Sequence, residues 1–287
     1  MATIRLHLPV AGSNGEDRSY DISVGRGLLA AVGPAVYAAG GRRAVVVADA
    51  AVAVTHAAAV EAALRASGVQ VSTLVVRSGE GSKSIAEAGR LWDALAERAV
   101  DRRTHIVAVG GGVVGDLAGF VAATFGRGLA CWQVPTTVVA QVDSAIGGKT
   151  GINLDAGKNL VGAFWQPRGV FADIDSLATL PAREFISGFA EVVKYGMILD
   201  AEFFVWLEGH CGPLLAREPV ALTHAVERSA ALKAGVVERD EREMTGLRAV
   251  LNYGHTFAHA YETAAGYGTL LHGEAVAIGM ARAARLA

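Results

Sequence analysis

From position 42 onward, short apolar bursts alternate with stretches whose apolar residues recur every three or four positions. The bursts cover 43–48, 69–76, 105–110, 129–134 and, more briefly, 169–173, and the helical spacing runs over 50–66 and 84–99. Near-continuous apolar strands separated by helices predict a parallel sheet covered on both faces. Residues 1–6 alternate apolar and polar and predict a further strand. After about Asp175 the bursts cease, and 180–199, 201–208, 220–237, 248–264 and 272–286 all read as helices. The expected organisation is an α/β region, 1–175, followed by an all-α region, 176–287, with a cleft between them.

Composition narrows the class. Of 287 residues 52% are apolar, but 54 are Ala; about 95 larger apolar residues remain, a third of the chain, as in an ordinary soluble enzyme. A chain of this length favours two domains over one core. With 26 Lys+Arg against 28 Asp+Glu the net charge is -2, which leaves no electrostatic footprint for nucleic acid or an anionic membrane. Cys131 and Cys211 form no C-x-x-C pair and predict neither a disulfide framework nor a cysteine metal site, so a cytoplasmic location is expected. The first residues lack the basic and apolar regions of a signal peptide, and uncharged runs such as 27–40, which holds Gly33 and Pro34, fall short of a membrane span.

Three groups of residues carry chemistry. Gly110, Gly112 and Gly115 form a G-x-G-x-x-G between a predicted strand and a predicted helix, where the backbone can approach a pyrophosphate and helix-start amides can meet its charge. A tight strand-to-helix turn also needs Gly. The acidic ribose ligand of an ordinary Rossmann fingerprint, about 20 residues on, is absent, so Asp49 or Glu80 would have to supply that contact. Next, Lys149 and Lys158 stand beside Gly-rich turns with Thr hydroxyls and Asn153 and Asn159 nearby, a candidate phosphate cradle. Finally, Asn252, His255 and His259 share one face of the predicted helix, with His272 and Glu274 downstream and Glu191 on another helix. Two His and one carboxylate with an open position make a catalytic divalent-metal site, most simply for Zn2+. Spacing alone pairs His255 with His259 and does not choose between His259 and His272.

Together, from about Asp49 to the last residue, these motifs closely resemble the 3-dehydroquinate synthase family: 110–119, 133–137, 141–144, 147–151, 157–159, 190–196, 251–257 and 271–279 carry the match. The resemblance implies a Rossmann-like NAD domain followed by a helical metal- and substrate-binding domain. It implies a divalent metal, Zn2+ or Co2+, on Glu191, His255 and His272, with His259 on the substrate side. It places NAD against Asp49, Ser78, Gly79, Glu80, Lys83, Gly112, Val113, Val114, Gly115, Asp116, Thr136, Thr137, Lys149, Lys158, Ser176, Leu177, Ala178 and Thr179. Substrate contacts fall on Asp143, Lys149, Asn159, Lys233, Glu243, Arg248 and Asn252, with Arg127 reaching across a homodimer interface.

The implied substrate is a sugar-acid phosphate, 3-deoxy-D-arabino-heptulosonate 7-phosphate, turned into 3-dehydroquinate by oxidation, phosphate elimination, reduction and aldol closure, with NAD regenerated. Related cyclases making a valiolone or an inosose are the first alternative, and metal-dependent polyol dehydrogenases share the two-domain plan. Gly235 stands where the family often has a charged residue. Between Glu243 and Arg248 the chain has one residue more than the family leads one to expect, so Glu243 is expected to be displaced by part of a helical turn. The segment 274–287 reads as a helix without a Gly cap, and the family continues for several tens of residues beyond that position. A truncated helical region with impaired activity is therefore expected.

Overall fold

The computed structural model describes residues 1–8, 17–266 and 269–286; Ala287, the end of the expected last helix, lies outside the described residues. Seven strands form one sheet in the order β1-β2-β9-β6-β5-β3-β4. They are β1 (Ala2–Leu6), β2 (Tyr20–Gly25), β3 (Arg43–Asp49), β4 (Gln70–Val76), β5 (Thr104–Gly110), β6 (Cys131–Pro135) and β9 (Gly169–Asp173). Only the β1–β2 pairing is antiparallel. A separate antiparallel hairpin joins β7 (Lys149–Leu154) to β8 (Gly157–Phe164).

The near-continuous apolar strands are covered on both faces. Alternation sends Val46, Ala48, Val107 and Val109 to one side, against Val32 and Val36 of α1 (Val32–Ala38) and Val60 and Leu64 of α2 (Ala58–Ala66). Val45, Val47, Ile106 and Ala108 face the other side, against Leu91 and Leu95 of α3 (Ile85–Glu97) and Leu117 and Val121 of α4 (Gly112–Thr124). Every residue of β5 is buried, as a central parallel strand requires.

The remaining helices are α5 (Ala182–Leu199), α6 (Ala201–Gly209), α7 (Cys211–Leu215), α8 (Pro219–Arg239), α9 (His255–Ala265) and α10 (His272–Leu286). They do not form an isolated bundle: Phe185, Val192, Phe203, Val226 and Val237 share a core with Leu6, Ile22, Val24 and Val170 of the sheet. Among the described residues no helix is long and apolar enough to cross a membrane.

Three departures from the expected elements have physical causes. β2 is absent from the expected strands, although Tyr20, Ile22 and Val24 do alternate with polar residues. Of the glycines read as turns around Lys149 and Lys158, Gly147 and Gly148 do take left-handed backbone, at φ +97 and +67, whereas Gly151 and Gly157 lie within the β7–β8 hairpin. Gly151 and Gly162 oppose each other there, and a Cβ on Gly162 would stand 2.2 Å from the Thr150 carbonyl oxygen. The single helix expected over 248–264 is broken into a 3-10 turn (Leu247–Asn252) and α9, with Gly254 between them at φ +79. A side chain on Gly254 would meet the Met280 backbone at 2.7 Å, so that glycine lets α10 cross the start of α9.

Candidate functional site

Strand order locates the first part of the site. The chain leaves β3 toward β4 and returns to β5 on its other side, so the carboxyl ends of β3 and β5 flank a topological switch point, where open α/β sheets bind ligands. Asp49 ends β3 beside Gly110 at the end of β5, and its carboxylate accepts from the Ser78 hydroxyl and the Ala51 amide. α4 starts at Gly112 with no side-chain cap, leaving its first amides, including those of Val113 and Val114, available to an anion. Gly115 faces Gln133 of β6, whose amide would clash with a Cβ at 2.8 Å; this glycine serves close packing. Thr136 and Thr137 follow β6, and Ser176, Leu177, Ala178 and Thr179 lie in the 3-10 turn after β9, on the same carboxyl edge.

A polar network joins this edge to the hairpin. Buried Lys83 reaches Asp116 on α4, 2.5 Å away, and also donates to the Asn159 side chain. Burial pushes the Asp116 carboxyl above its ordinary value against the pull of Lys83. Asn153 connects the Lys83 carbonyl, the Asn159 amide and Glu80, to which it donates at 2.6 Å. Gly79 precedes Glu80 at φ +103 and turns this loop back over the sheet edge.

The second part is a cluster of Glu191, His255 and His272, whose ligand atoms lie within 4.8 Å of one another. Glu191 is fully buried on α5, and His255 and His272 are the first residues of α9 and α10. Gly273 lets α10 dock: a Cβ there would stand 1.8 Å from the Ser187 carbonyl oxygen, one turn before Glu191. Glu191 Oε1 accepts no hydrogen bond and faces His255 Nε2 at 3.6 Å and His272 Nε2 at 3.5 Å. Two ligand atoms each about 2.0–2.1 Å from a tetrahedral ion stand about 3.4 Å apart, so the three groups fit a divalent cation. His255 Nδ1 lies 3.3 Å from the Tyr253 carbonyl, which selects the tautomer with Nε2 free to ligate. Burial disfavours a charged His272, but the Glu191 and Glu262 carboxylates outweigh it and push the ring up to about 9. Burial likewise opposes the charge on Glu191, yet His272 and the ion-paired Lys194 ammonium hold its carboxyl below the usual range. Negative charge on both sides of one imidazole is the electrostatics a cation requires.

The third part adjoins the second. Asp143 Oδ1 accepts from Lys233 at 2.5 Å and from the Tyr195 hydroxyl at 2.8 Å. Burial opposes ionisation of Asp143, but the Lys233 and Lys194 ammonium groups hold its carboxyl well below the usual carboxylate range. Buried Arg248 donates to the Glu241 carbonyl at 2.8 Å, and its Nε atom has no hydrogen-bond partner. Glu243 Oε1 lies 2.5 Å from Lys149 Nζ and 3.5 Å from Arg248 Nε. No helix runs through 241–246. Asp240 instead gathers this loop through the amides of Met244, Thr245 and Arg248, and Glu243 takes φ +58 to return to Lys149.

Not every expected residue joins these groups. Arg127 follows the far end of α4, about 20 Å along the helix from Gly112, and among the described residues it makes no hydrogen bond or ion pair with them. Asn252 lies in the 3-10 turn, so it does not continue the helical face of His255 and His259. His259 is exposed one turn along α9, its ring 5.8 Å from that of His255, and His272 completes the cluster in its place. Conversely, Lys194, Tyr195 and Glu262 were not among the expected site residues. Lys194 follows Glu191 by one helical turn and Glu262 follows His255 by two, spacings that put each pair on one helix face.

Residues 73–187 match the family model of the 3-dehydroquinate synthase N-terminal region, and 188–287 match that of its C-terminal region. The 3-dehydroquinate synthase of Rhodopirellula baltica is 52% identical over 284 residues, covering 94% of this chain and 74% of the relative. A 2-deoxy-scyllo-inosose synthase solved with carbaglucose-6-phosphate, NAD+ and Co2+ superposes with a TM-score of 0.87 at 30% identity, over 97% of this chain and 75% of that one. The 2-epi-5-epi-valiolone synthase of Streptomyces hygroscopicus subsp. jinggangensis, with NAD+ and Zn2+ bound, gives 0.85 at 33% identity, over 94% and 75%. By its motifs, its fold and half its residues, the chain belongs to the 3-dehydroquinate synthase family.

Proposed function

We propose that this chain converts 3-deoxy-D-arabino-heptulosonate 7-phosphate to 3-dehydroquinate and phosphate. The observation that carries the reading is the contiguity of the Glu191–His255–His272 cluster with Asp143, Lys194 and Lys233, beside an uncapped helix start at the switch point of the sheet. The identity of 52% to a 3-dehydroquinate synthase, against 30% and 33% to the inosose and valiolone synthases, favours this substrate over those of the related cyclases.

When bound, NAD supplies the hydride acceptor and donor, and a divalent ion, Zn2+ or Co2+, supplies Lewis acidity. Asp49, Glu80, Lys83, the Gly112–Asp116 turn, Thr136, Thr137, Lys158 and the 176–179 turn would hold the cofactor; Glu191, His255 and His272 would hold the ion. Lys149, Lys233 and Arg248 bring three cations to a seven-carbon acid that carries a carboxylate and a phosphate. Arg248 Nε, which makes no hydrogen bond and only a 3.5 Å ion pair with Glu243, suits such an anion. Asp143, kept ionised by Lys233 and oriented by Tyr195, accepts a substrate hydroxyl through its remaining oxygen. Glu243 spaces Lys149 from Arg248, and Asn159, Asn252 and His259 complete the polar wall. Of these groups Lys194, Lys233 and Arg248 are buried, so the charged floor of the site is shielded from water.

In this reading 1–175 is the cofactor domain and 176–287 the metal and substrate domain of a cytoplasmic homodimer, with Arg127 serving the neighbouring subunit's site. The test offers three substrates, the heptulosonate phosphate, sedoheptulose 7-phosphate and glucose 6-phosphate, to protein supplied with NAD and Zn2+. Phosphate release from the first is expected. Turnover of either of the others, with none of the first, would overturn the assignment.

A further inference from the structure

We infer that Glu262 is the positioning carboxylate of the metal site, holding the His272 ring at Nδ1 and linking it to the β7–β8 hairpin through Lys158. The inference rests on the metal site proposed above. Glu262 is buried on α9, two helical turns from His255, so both face the start of α10. Its Oε1 atom lies 3.8 Å from His272 Nδ1 and 3.4 Å from Lys158 Nζ. The opposite ring nitrogen of His272, Nε2, points to Glu191 Oε1 at 3.5 Å. An imidazole offers one nitrogen to a ligand only when the other keeps the proton, and a carboxylate facing Nδ1 at 3.8 Å, in ion-pair rather than hydrogen-bond range, favours the proton there electrostatically. His255 has the Tyr253 carbonyl for the same purpose, and Glu262 is its counterpart for His272.

A buried carboxylate needs a balancing cation. Lys158 supplies one from β8, where the next residue, Asn159, belongs to the Lys83–Asp116 network. One oxygen of Glu262 thus lies within ion-pair range of a proposed metal ligand and of a lysine on a strand from the proposed cofactor side, two parts of the site that the chain separates by more than a hundred residues.

The test measures Zn2+ affinity in full-length protein by competition with a fluorescent chelator, without substrate. Glu262→Gln is expected to weaken Zn2+ about 10- to 100-fold with circular dichroism unchanged, and Glu262→Asp, which keeps the charge but withdraws it, to recover part of the loss. Lys158→Met should change the affinity of the parent but not that of the Glu262→Gln protein, because both act through one carboxylate. His272→Ala is the control. If that control binds Zn2+ like the parent, the metal site itself is misassigned. If the control loses Zn2+ while Glu262→Gln keeps parental affinity, or Glu262→Asp does so where the Gln variant fails to fold, the inference is overturned and the site stands. Equal effects of Lys158→Met in both backgrounds would overturn the link to the hairpin.

Discussion

Replacing Tyr195 by Phe deletes one oxygen and leaves the ring in place. That oxygen is buried with the rest of the residue and donates 2.8 Å to Asp143 Oδ1, the same oxygen that Lys233 holds. A hydrogen bond to a charged group contributes about 1.5–3 kcal/mol. The isosteric ring leaves no cavity, so the whole effect comes from that bond. Spread over a chain of this size, whose unfolding entropy is about 0.6 kcal/mol/K, the loss lowers the melting temperature by roughly 2–5 °C. If the hydroxyl also sets the angle at which Asp143 meets substrate, kcat/KM falls by about 10- to 150-fold over the same range of free energy. Differential scanning fluorimetry and a phosphate-release assay on the same preparation measure both. A Tyr195→Phe protein with the parental melting temperature and kcat/KM would refute the claim that this hydroxyl holds Asp143.

Other substitutions probe the rest of the architecture. Gly162→Ala places a methyl 2.2 Å from the Thr150 carbonyl and forces the hairpin open; the expected cost is about 1–3 kcal/mol or more, with weaker NAD binding by fluorescence titration because β8 carries Lys158 and Asn159. Asp143→Asn should destabilise the protein at neutral pH. The parental carboxyl is held below its unfolded value, so its contribution is present above about pH 4 and is lost as pH falls through the lower folded value. The stability gap between parent and variant in urea titrations is therefore expected to stay level from neutral pH to about pH 5 and to close only in stronger acid. A gap already closing near neutrality would contradict the ion-pair account.

How much could be read before the fold was known depended on the range of the interactions involved. The parallel strands were legible because two covered faces demand near-continuous apolar residues, as β5 has over Ile106–Val109. The β7–β8 hairpin was not, because Gly151 and Gly162 serve the close approach of one strand to the other rather than a turn. The break before α9 was hidden for the same reason: Gly254 is required by Met280 on α10, not by its own neighbours. The metal cluster shows the limit most plainly. Helical spacing favoured His259 as the partner of His255, whereas the structure sets His272 there by docking Gly273 against Ser187. Lys194, Tyr195 and Glu262 shared helix faces with residues already singled out, but a shared face becomes a contact only when neighbouring helices close over it.

The most direct test of the central claim follows phosphate and NADH together in one sample of protein, NAD, Zn2+ and the heptulosonate phosphate. The account predicts continuous phosphate release at catalytic NAD, no net accumulation of NADH, and arrest by a metal chelator that added Zn2+ reverses. Steady accumulation of NADH without phosphate, or phosphate release indifferent to the chelator, would contradict it.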